Sequence, residues 1–305
     1  MTTLSNETVE LELGGELVEV PKGGLYDRYR MNTDLDEVSR DPLVSSVEFF
    51  RHLPKTKVES RIGPTLTPNY YYRISTARLT MLAPTRAIRA RLPKALSPLE
   101  VTPGLGLISF MAFRYAVCDI DFYTEAAVAI PVRPARHGRL AFFDLATGLK
   151  NDHLHAYVLS LPVSSKIAQI RGNLGYGFPK WVSKIDVDIN ASQTCTRVYG
   201  DLGTTDFSLS GPTPAQRTTP SGTRISLLTS YTQLGGAWHS TLSETNTITS
   251  GTSYLPRNLT MELGQGRISE DIRSLEPMAN LRFDVTTEAQ LALHMPLPIT
   301  VSHRP

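Results

Sequence analysis

The sequence predicts an α+β fold dominated by antiparallel strands, either a sandwich or a closed barrel with a few helices at its periphery. Three observations carry this. From Leu105 onward the chain runs strand after strand. Continuous apolar runs, such as residues 123–132, alternate with period-two runs such as Lys184-Ile185-Asp186-Val187-Asp188-Ile189, the patterns of strands buried on both faces and on one face. No helical pattern of about 10 to 15 residues recurs between strands, which argues against a doubly wound parallel sheet.

The elements follow in order. Residues 1–62 differ from the rest: a Val/Glu alternation over 9–20, turned by Gly14-Gly15, predicts a hairpin, and residues 26–41, where charges of both signs crowd together, predict a polar helical segment. They form an extension on a main body of residues 63–305, a candidate for assembly contacts. Pro64 and Pro68 punctuate the entry to a strand over 75–82, and 85–92 reads as a short helix ending before Pro93. Strands are expected at 107–115, 123–132, 153–159, 183–189, 195–201 and 205–210. Residues 210–260 are rich in Ser, Thr, Gly and Pro, yet 225–231 and 237–242 keep strand patterns, so the region reads as a meander with long turns.

Composition narrows the function. With 41% hydrophobic and 20% charged residues over 305 positions, the chain can bury a sizeable core. Thirty-one basic residues against 29 acidic ones, with no dense basic block, argue against a nucleic-acid partner. Cys118 and Cys195 lack CxxC spacing and suggest neither a disulfide framework nor a thiolate metal site; both are expected to be reduced and buried. The start carries no basic and apolar leader pattern and no apolar stretch approaches a membrane span, so the reading is a cytoplasmic protein without a membrane partner. Gly104-Leu105-Gly106 and the glycines of 172–177 fail the dinucleotide-binding spacing and read as turn or close-packing positions. His153 and His155, two apart in a strand, share a face, but no third metal ligand stands at a diagnostic spacing. Neither GxSxG nor SxxK supports a serine nucleophile.

Two segments carry chemistry. Residues 172–181, Gly-Asn-Leu-Gly-Tyr-Gly-Phe-Pro-Lys-Trp, set Lys180 behind Pro179 among Tyr176, Phe178 and Trp181, with no other charged side chain. Proline fixes the backbone, glycines admit close neighbours and aromatic rings strip water from an ammonium, which favours the neutral amine, a nucleophile for carbonyls. The alternative is a lysine that snorkels to solvent over an apolar surface. The second segment is Tyr123-Thr124-Glu125-Ala126-Ala127-Val128-Ala129-Ile130-Pro131-Val132, one carboxylate in an otherwise apolar strand. A buried Glu must be paired, protonated or functional, whereas a strand-end Glu reaches water or an arginine.

Together, Tyr123-Thr124-Glu125 with Ala129-Ile130-Pro131-Val132, and then Gly172 through Phe178-Pro179-Lys180, resemble acetoacetate decarboxylase and its superfamily. Tyr70-Tyr71-Tyr72, Ala77-Arg78-Leu79, Leu92-Pro93 and Leu96-Ser97-Pro98-Leu99 are similar to the same family. The resemblance spans about residues 65–300 and leaves 1–62 without a counterpart. It implies a closed β-barrel-like domain with an interior pocket, a Schiff-base lysine at Lys180, a pocket acid at Glu125, no metal or organic cofactor, a small keto acid or other carbonyl substrate, and a homo-oligomer. The substrate-carboxylate arginine falls on Arg78, with Arg73 as the alternative, and Tyr72, Phe110, Tyr176, Phe178 and Trp181 become pocket residues. This chain departs from the family where the decarboxylase has a second lysine, here Trp181, and an Arg-Glu pair, here near Gly172-Asn173; an earlier acid is replaced near Phe110. With those charges gone, activation of Lys180 is expected from burial alone and the substrate is expected to be more apolar. The resemblance thus implies decarboxylation of a β-keto acid through a Lys180 iminium, with aldol addition and dehydration on the same lysine, or a binding protein without chemistry, as alternatives.

Overall fold

The computed structural model describes residues 7–134 and 141–300. Strands β1 (Thr8–Leu13) and β2 (Glu16–Pro21) form the expected hairpin, with Gly14 and Gly15 at φ of 63° and 82° supplying the left-handed pair that a two-residue turn demands. The polar segment over 26–41 is not one helix but two short ones, α1 (Leu25–Tyr29) and α2 (Leu35–Val38), and a third, α3 (Glu48–Arg51), follows it. Arg30 and Met31, both at positive φ, stop the first. Leu13, Val18, Val20, Tyr26 and Met31 are buried in one cluster with Tyr71, Ile74, Tyr115 and Tyr123, so the extension is packed onto the main body. Its first six residues lie outside the described chain.

The small strands β3 (Thr56–Val58) and β4 (Thr65–Thr67) lead into β5 (Asn69–Pro84), helix α4 (Thr85–Arg91) and β6 (Glu100–Thr102). Then come β7 (Leu105–Cys118), β8 (Tyr123–Pro131), α5 (Ala141–Lys150), β9 (His153–Val163) and α6 (Lys166–Ile170), followed by a π-helical turn over Arg171–Tyr176 and β10 (Lys180–Val182). A side sheet follows, β11 (Ile185–Ile189), β12 (Gln193–Tyr199) and β13 (Thr205–Pro212), and then β14 (Arg217–Thr218), β15 (Ile225–Leu234) and β16 (Ala237–Tyr254). The chain closes with β17 (Thr260–Leu263), α7 (Arg267–Ser274), β18 (Ala279–Leu293) and β19 (Leu297–Pro298).

Strands β9, β15, β16, β18, β5, β7 and β8 pair in that order, and β8 returns to β9, which closes a seven-stranded barrel with extra strands and few helices. Closure removes free edges. One face of β5, β7 and β8 carries Leu79, Phe110, Ala112, Ala126 and Val128 against Phe207 and Leu209 of the side sheet and Ile268 and Ile272 of α7. The other face of β7 and β8 carries Met111, Phe113, Tyr115, Tyr123, Glu125 and Ala127, since antiparallel partners such as Phe113 and Glu125 share a side. Every residue from Tyr123 to Ile130 is buried, as the continuous apolar run requires.

Cys118 is buried and Cys195 only partly so, and both are free thiols. His153 and His155 stack at 4.7 Å and bond to Thr229 and the Tyr231 hydroxyl. Among the described residues no cluster of His, Cys, Asp and Glu could hold a metal ion, and no helix is long and apolar enough to cross a membrane.

Candidate active site

Lys180 begins β10, which lies parallel to the end of β9 with Lys180 opposite Leu161. Its backbone is held from both sides by one side chain: Asn173 Oδ1 accepts from the Lys180 N–H at 2.9 Å, and Asn173 Nδ2 donates to the Lys180 carbonyl at 3.0 Å. The stem lies flat on Gly172, where an added Cβ would stand 2.2 Å from Lys180 Cδ and 2.6 Å from Cε. The departure from the family pattern at Asn173 therefore has a local cause: asparagine clamps the lysine peptide, while the shared Gly172 admits the lysine stem.

Lys180 Nζ donates to Glu125 Oε2 at 2.6 Å, and both side chains are only 8% exposed. Glu125 Oε1 accepts from the Tyr115 hydroxyl at 3.1 Å. The lysine is thus half of a buried pair, not an isolated amine, which corrects the expectation of activation by burial alone. Around this pair stand Tyr71, whose hydroxyl is 3.1 Å from that of Tyr123, and Tyr115, whose ring lies 4.6 Å from Tyr71 and 4.5 Å from Tyr123. Burial pushes all three phenols well above their ordinary range, with the Glu125 charge adding to it. They remain protonated and serve as hydrogen-bond donors, not bases.

Beside the pair lies a small cavity with about 20 Å³ open to a water-sized molecule, lined by Tyr71, Tyr123, Arg171, Tyr176, Phe178 and Lys180, with Asn69, Ile120, Ala168, Gly172 and Leu293 completing it. Tyr176 and Phe178, expected from sequence, are both there with their rings stacked at 5.9 Å.

Four expected pocket residues lie elsewhere. Trp181, one residue from Lys180 along a strand, points the opposite way; it packs on the large core and has the Arg267 guanidinium 4.2 Å above its ring. Phe110 is across from Val128, on the face opposite Glu125, with its ring 4.1 Å from Phe207; Met111 and Phe113 occupy the site face instead. Tyr72 is turned away from Tyr71 and donates to Asp119 beneath the N-terminal helices. Arg78 is bound to Asp284 of β18 at 2.8 Å, and the alternative Arg73 to Glu288 at 2.7 Å, both outside the cavity wall.

The arginine that does line the cavity is Arg171. It is 3% exposed, and among the described residues it pairs with no carboxylate. Its contacts are the Thr65 hydroxyl at 3.4 and 3.5 Å, the Tyr176 side chain and, 6.0 Å away, the Tyr26 ring. A sequence signal existed: no Asp or Glu occurs between Asp152 and Asp186, so a basic residue there has no local partner.

The site is thus a buried lysine–carboxylate pair beside a small cavity in a closed, mostly antiparallel barrel whose β9 and β15 run parallel. Residues 55–279 match the family model described as Acetoacetate decarboxylase (ADC), and the chain belongs to that family. Among solved structures, an acetoacetate decarboxylase from Legionella pneumophila is similar at TM-score 0.55 and 14% identity, over 76% of this chain and 87% of that one. A second acetoacetate decarboxylase structure gives 0.54 and 11%, over 78% and 91%. The enduracididine biosynthesis enzyme MppR, complexed with pyruvate, gives 0.52 and 14%, over 77% and 91%. At these identities the structural likeness speaks to the fold. No curated protein matches the chain.

Proposed function

We propose that this protein is a Schiff-base lyase that uses Lys180 to decarboxylate a small β-keto acid. The observation that carries the reading is the buried pair itself, Lys180 Nζ 2.6 Å from Glu125 Oε2, with Lys180 at the wall of a cavity that also holds Arg171, which pairs with no carboxylate among the described residues. Family membership supports lyase chemistry on a carbonyl substrate.

The steps follow from the residues. Glu125 takes the proton from Lys180, the free amine adds to the substrate ketone, and Glu125 gives that proton to the carbinolamine hydroxyl, which departs as water and leaves an iminium. Arg171 holds the substrate carboxylate, the anion that its buried guanidinium otherwise lacks. The bond between the α-carbon and that carboxylate then breaks, its electron pair flows into the iminium nitrogen, and CO2 leaves with an enamine on Lys180. A second proton, drawn from solvent and passed on by Glu125, goes to the enamine carbon, and water releases the ketone. Residues 7–54, which precede the family match, serve in this reading as a cover, since Tyr26 closes over Arg171.

A second reading, aldol addition with dehydration, is favoured by the phenol cluster, whose donors suit a developing alkoxide. MppR, in complex with the condensation product of pyruvate and imidazole 4-carboxaldehyde, is a similar fold associated with that chemistry. Incubation with acetoacetate, and separately with pyruvate plus an aldehyde, separates the two. The expected result is one CO2 per acetone, abolished in Lys180→Met; a condensed product without CO2 favours the second reading. Binding without either product would leave a small-molecule binding protein.

A further inference from the structure

The cavity holds one polar side chain that neither reading employs. Asn69 opens β5, is 2% exposed and lines the cavity with Tyr71, which lies two residues on along the same strand; its cross-strand partner Leu293 lines it too. Asn69 Oδ1 is buried and has no hydrogen-bond partner among the described residues. Such an orphan is costly. A buried carbonyl oxygen without a partner loses its hydration with nothing in return, and apolar replacement at such a position is neutral or stabilising. Asn69 borders space that a substrate would fill, with a carboxamide whose oxygen has no partner among the described residues.

We propose that Asn69 is a specificity-determining residue that reads a hydroxyl on the substrate, so that the preferred ligand is a hydroxylated ketone or keto acid. A hydroxyl both donates and accepts, and therefore satisfies either end of the carboxamide. A bare alkyl group would leave the orphan buried and unpaired, and a site built to bond a hydroxyl rejects the analogue lacking it. The cavity is small, with about 20 Å³ open to a water-sized molecule, so the ligand has few heavy atoms and its hydroxyl stands within a few bonds of the carbonyl carbon. Hydroxyacetone and hydroxypyruvate have that form. The proposal rests on the Schiff-base reading only in taking the ketone carbon to sit at Lys180. It also revises the expectation of a more apolar substrate, since the wall offers an amide, three phenols and a guanidinium.

The test measures calorimetric affinity for two matched pairs, acetone with hydroxyacetone and pyruvate with hydroxypyruvate, in the wild type and in Asn69→Leu. The wild type is expected to prefer the hydroxylated member by about tenfold or more, a net hydrogen bond's worth. Asn69→Leu is expected to lose that preference and to melt no lower than the wild type. A wild-type preference below about twofold in both pairs, or a preference retained by Asn69→Leu, overturns the proposal, as does a melting temperature several degrees lower in Asn69→Leu, which would mark a structural amide. Borohydride added to the same mixtures keeps the two ideas apart: a hydroxyl preference without mass on Lys180 sinks the Schiff-base reading and leaves Asn69 standing, whereas labelling of Lys180 without any preference does the reverse.

Discussion

Two buried lysine–carboxylate pairs lie on either side of β5, and they are built to opposite ends. On one side Lys55 Nζ donates to Asp119 Oδ2 at 2.5 Å, and the rest of Asp119 is used up: Oδ2 also accepts from the Tyr70 N–H, and Oδ1 accepts from Thr33 and Tyr72 hydroxyls at 2.6 and 2.7 Å. Lys55 donates again to the Met31 carbonyl and lies 4.2 Å from the Tyr70 ring. On the other side Glu125 accepts from Lys180 and Tyr115 only, and Lys180 borders a cavity. The first pair is saturated and sealed, and it pins the N-terminal helices to the barrel. The second keeps bonding capacity free beside empty space. Burial and a short distance do not separate a structural pair from a working one; unused valence facing a cavity does.

Truncating each lysine separates the pairs by their energetics. Lys55→Met leaves Asp119 charged and fully enclosed, and should lower unfolding free energy by about 3–5 kcal/mol in a denaturant titration. Lys180→Met should cost less, about 1–2 kcal/mol, because Glu125 can take a proton or a water from the cavity. Equal losses would erase the distinction.

Gly172→Ala probes the lysine's seat. With a Cβ 2.2 Å from Lys180 Cδ, the stem must move, and the rate of imine formation should fall about 100-fold from misplacement alone, with about 1–3 kcal/mol of stability lost to overpacking. An alanine variant that traps ketones at the wild-type rate would show that the stem does not need this surface.

A half-buried carboxylate without a lysine, that of Asp121, sharpens the contrast by pH. Burial pushes Asp121 up to about 6 against the backbone N–H groups of Leu25 and Tyr26 that favour its charge. The folded state therefore holds this proton more tightly than the unfolded chain, so the contribution is greatest in acid and is lost as pH rises from about 4 to about 6. Asp121→Asn does not titrate, and its stability relative to the wild type should improve across that window by on the order of 2 kcal/mol and stay level above it. A difference independent of pH would place the titration elsewhere.

Much of this was legible in the sequence, and the errors share a cause. Lys180 and Glu125 stood out because each is a lone charge in an apolar segment, a pattern that survives uncertainty about register. Lining residues do not survive it. Tyr71 and Tyr72 look alike in a run of three tyrosines, and only the pairing of β5 with β7, which shifts register between Tyr71, Arg73 and Ile74, fixes which one meets the cavity. Phe110 and Trp181 fell on the wrong face by a single residue. Asn69 was invisible, and Arg171 was marked only by the lack of Asp or Glu between Asp152 and Asp186, for another reason: what distinguishes them is the absence of a partner among the described residues, and partners are set by tertiary packing.

The central claim is that Lys180, and not Lys55, forms the covalent adduct. Borohydride reduction in the presence of a small ketone, followed by peptide mass mapping, tests it directly. The account predicts one added ketone-derived mass on the peptide containing Lys180, none on that containing Lys55, and no label in Lys180→Met. Label on Lys55, or undiminished label in Lys180→Met, would contradict it.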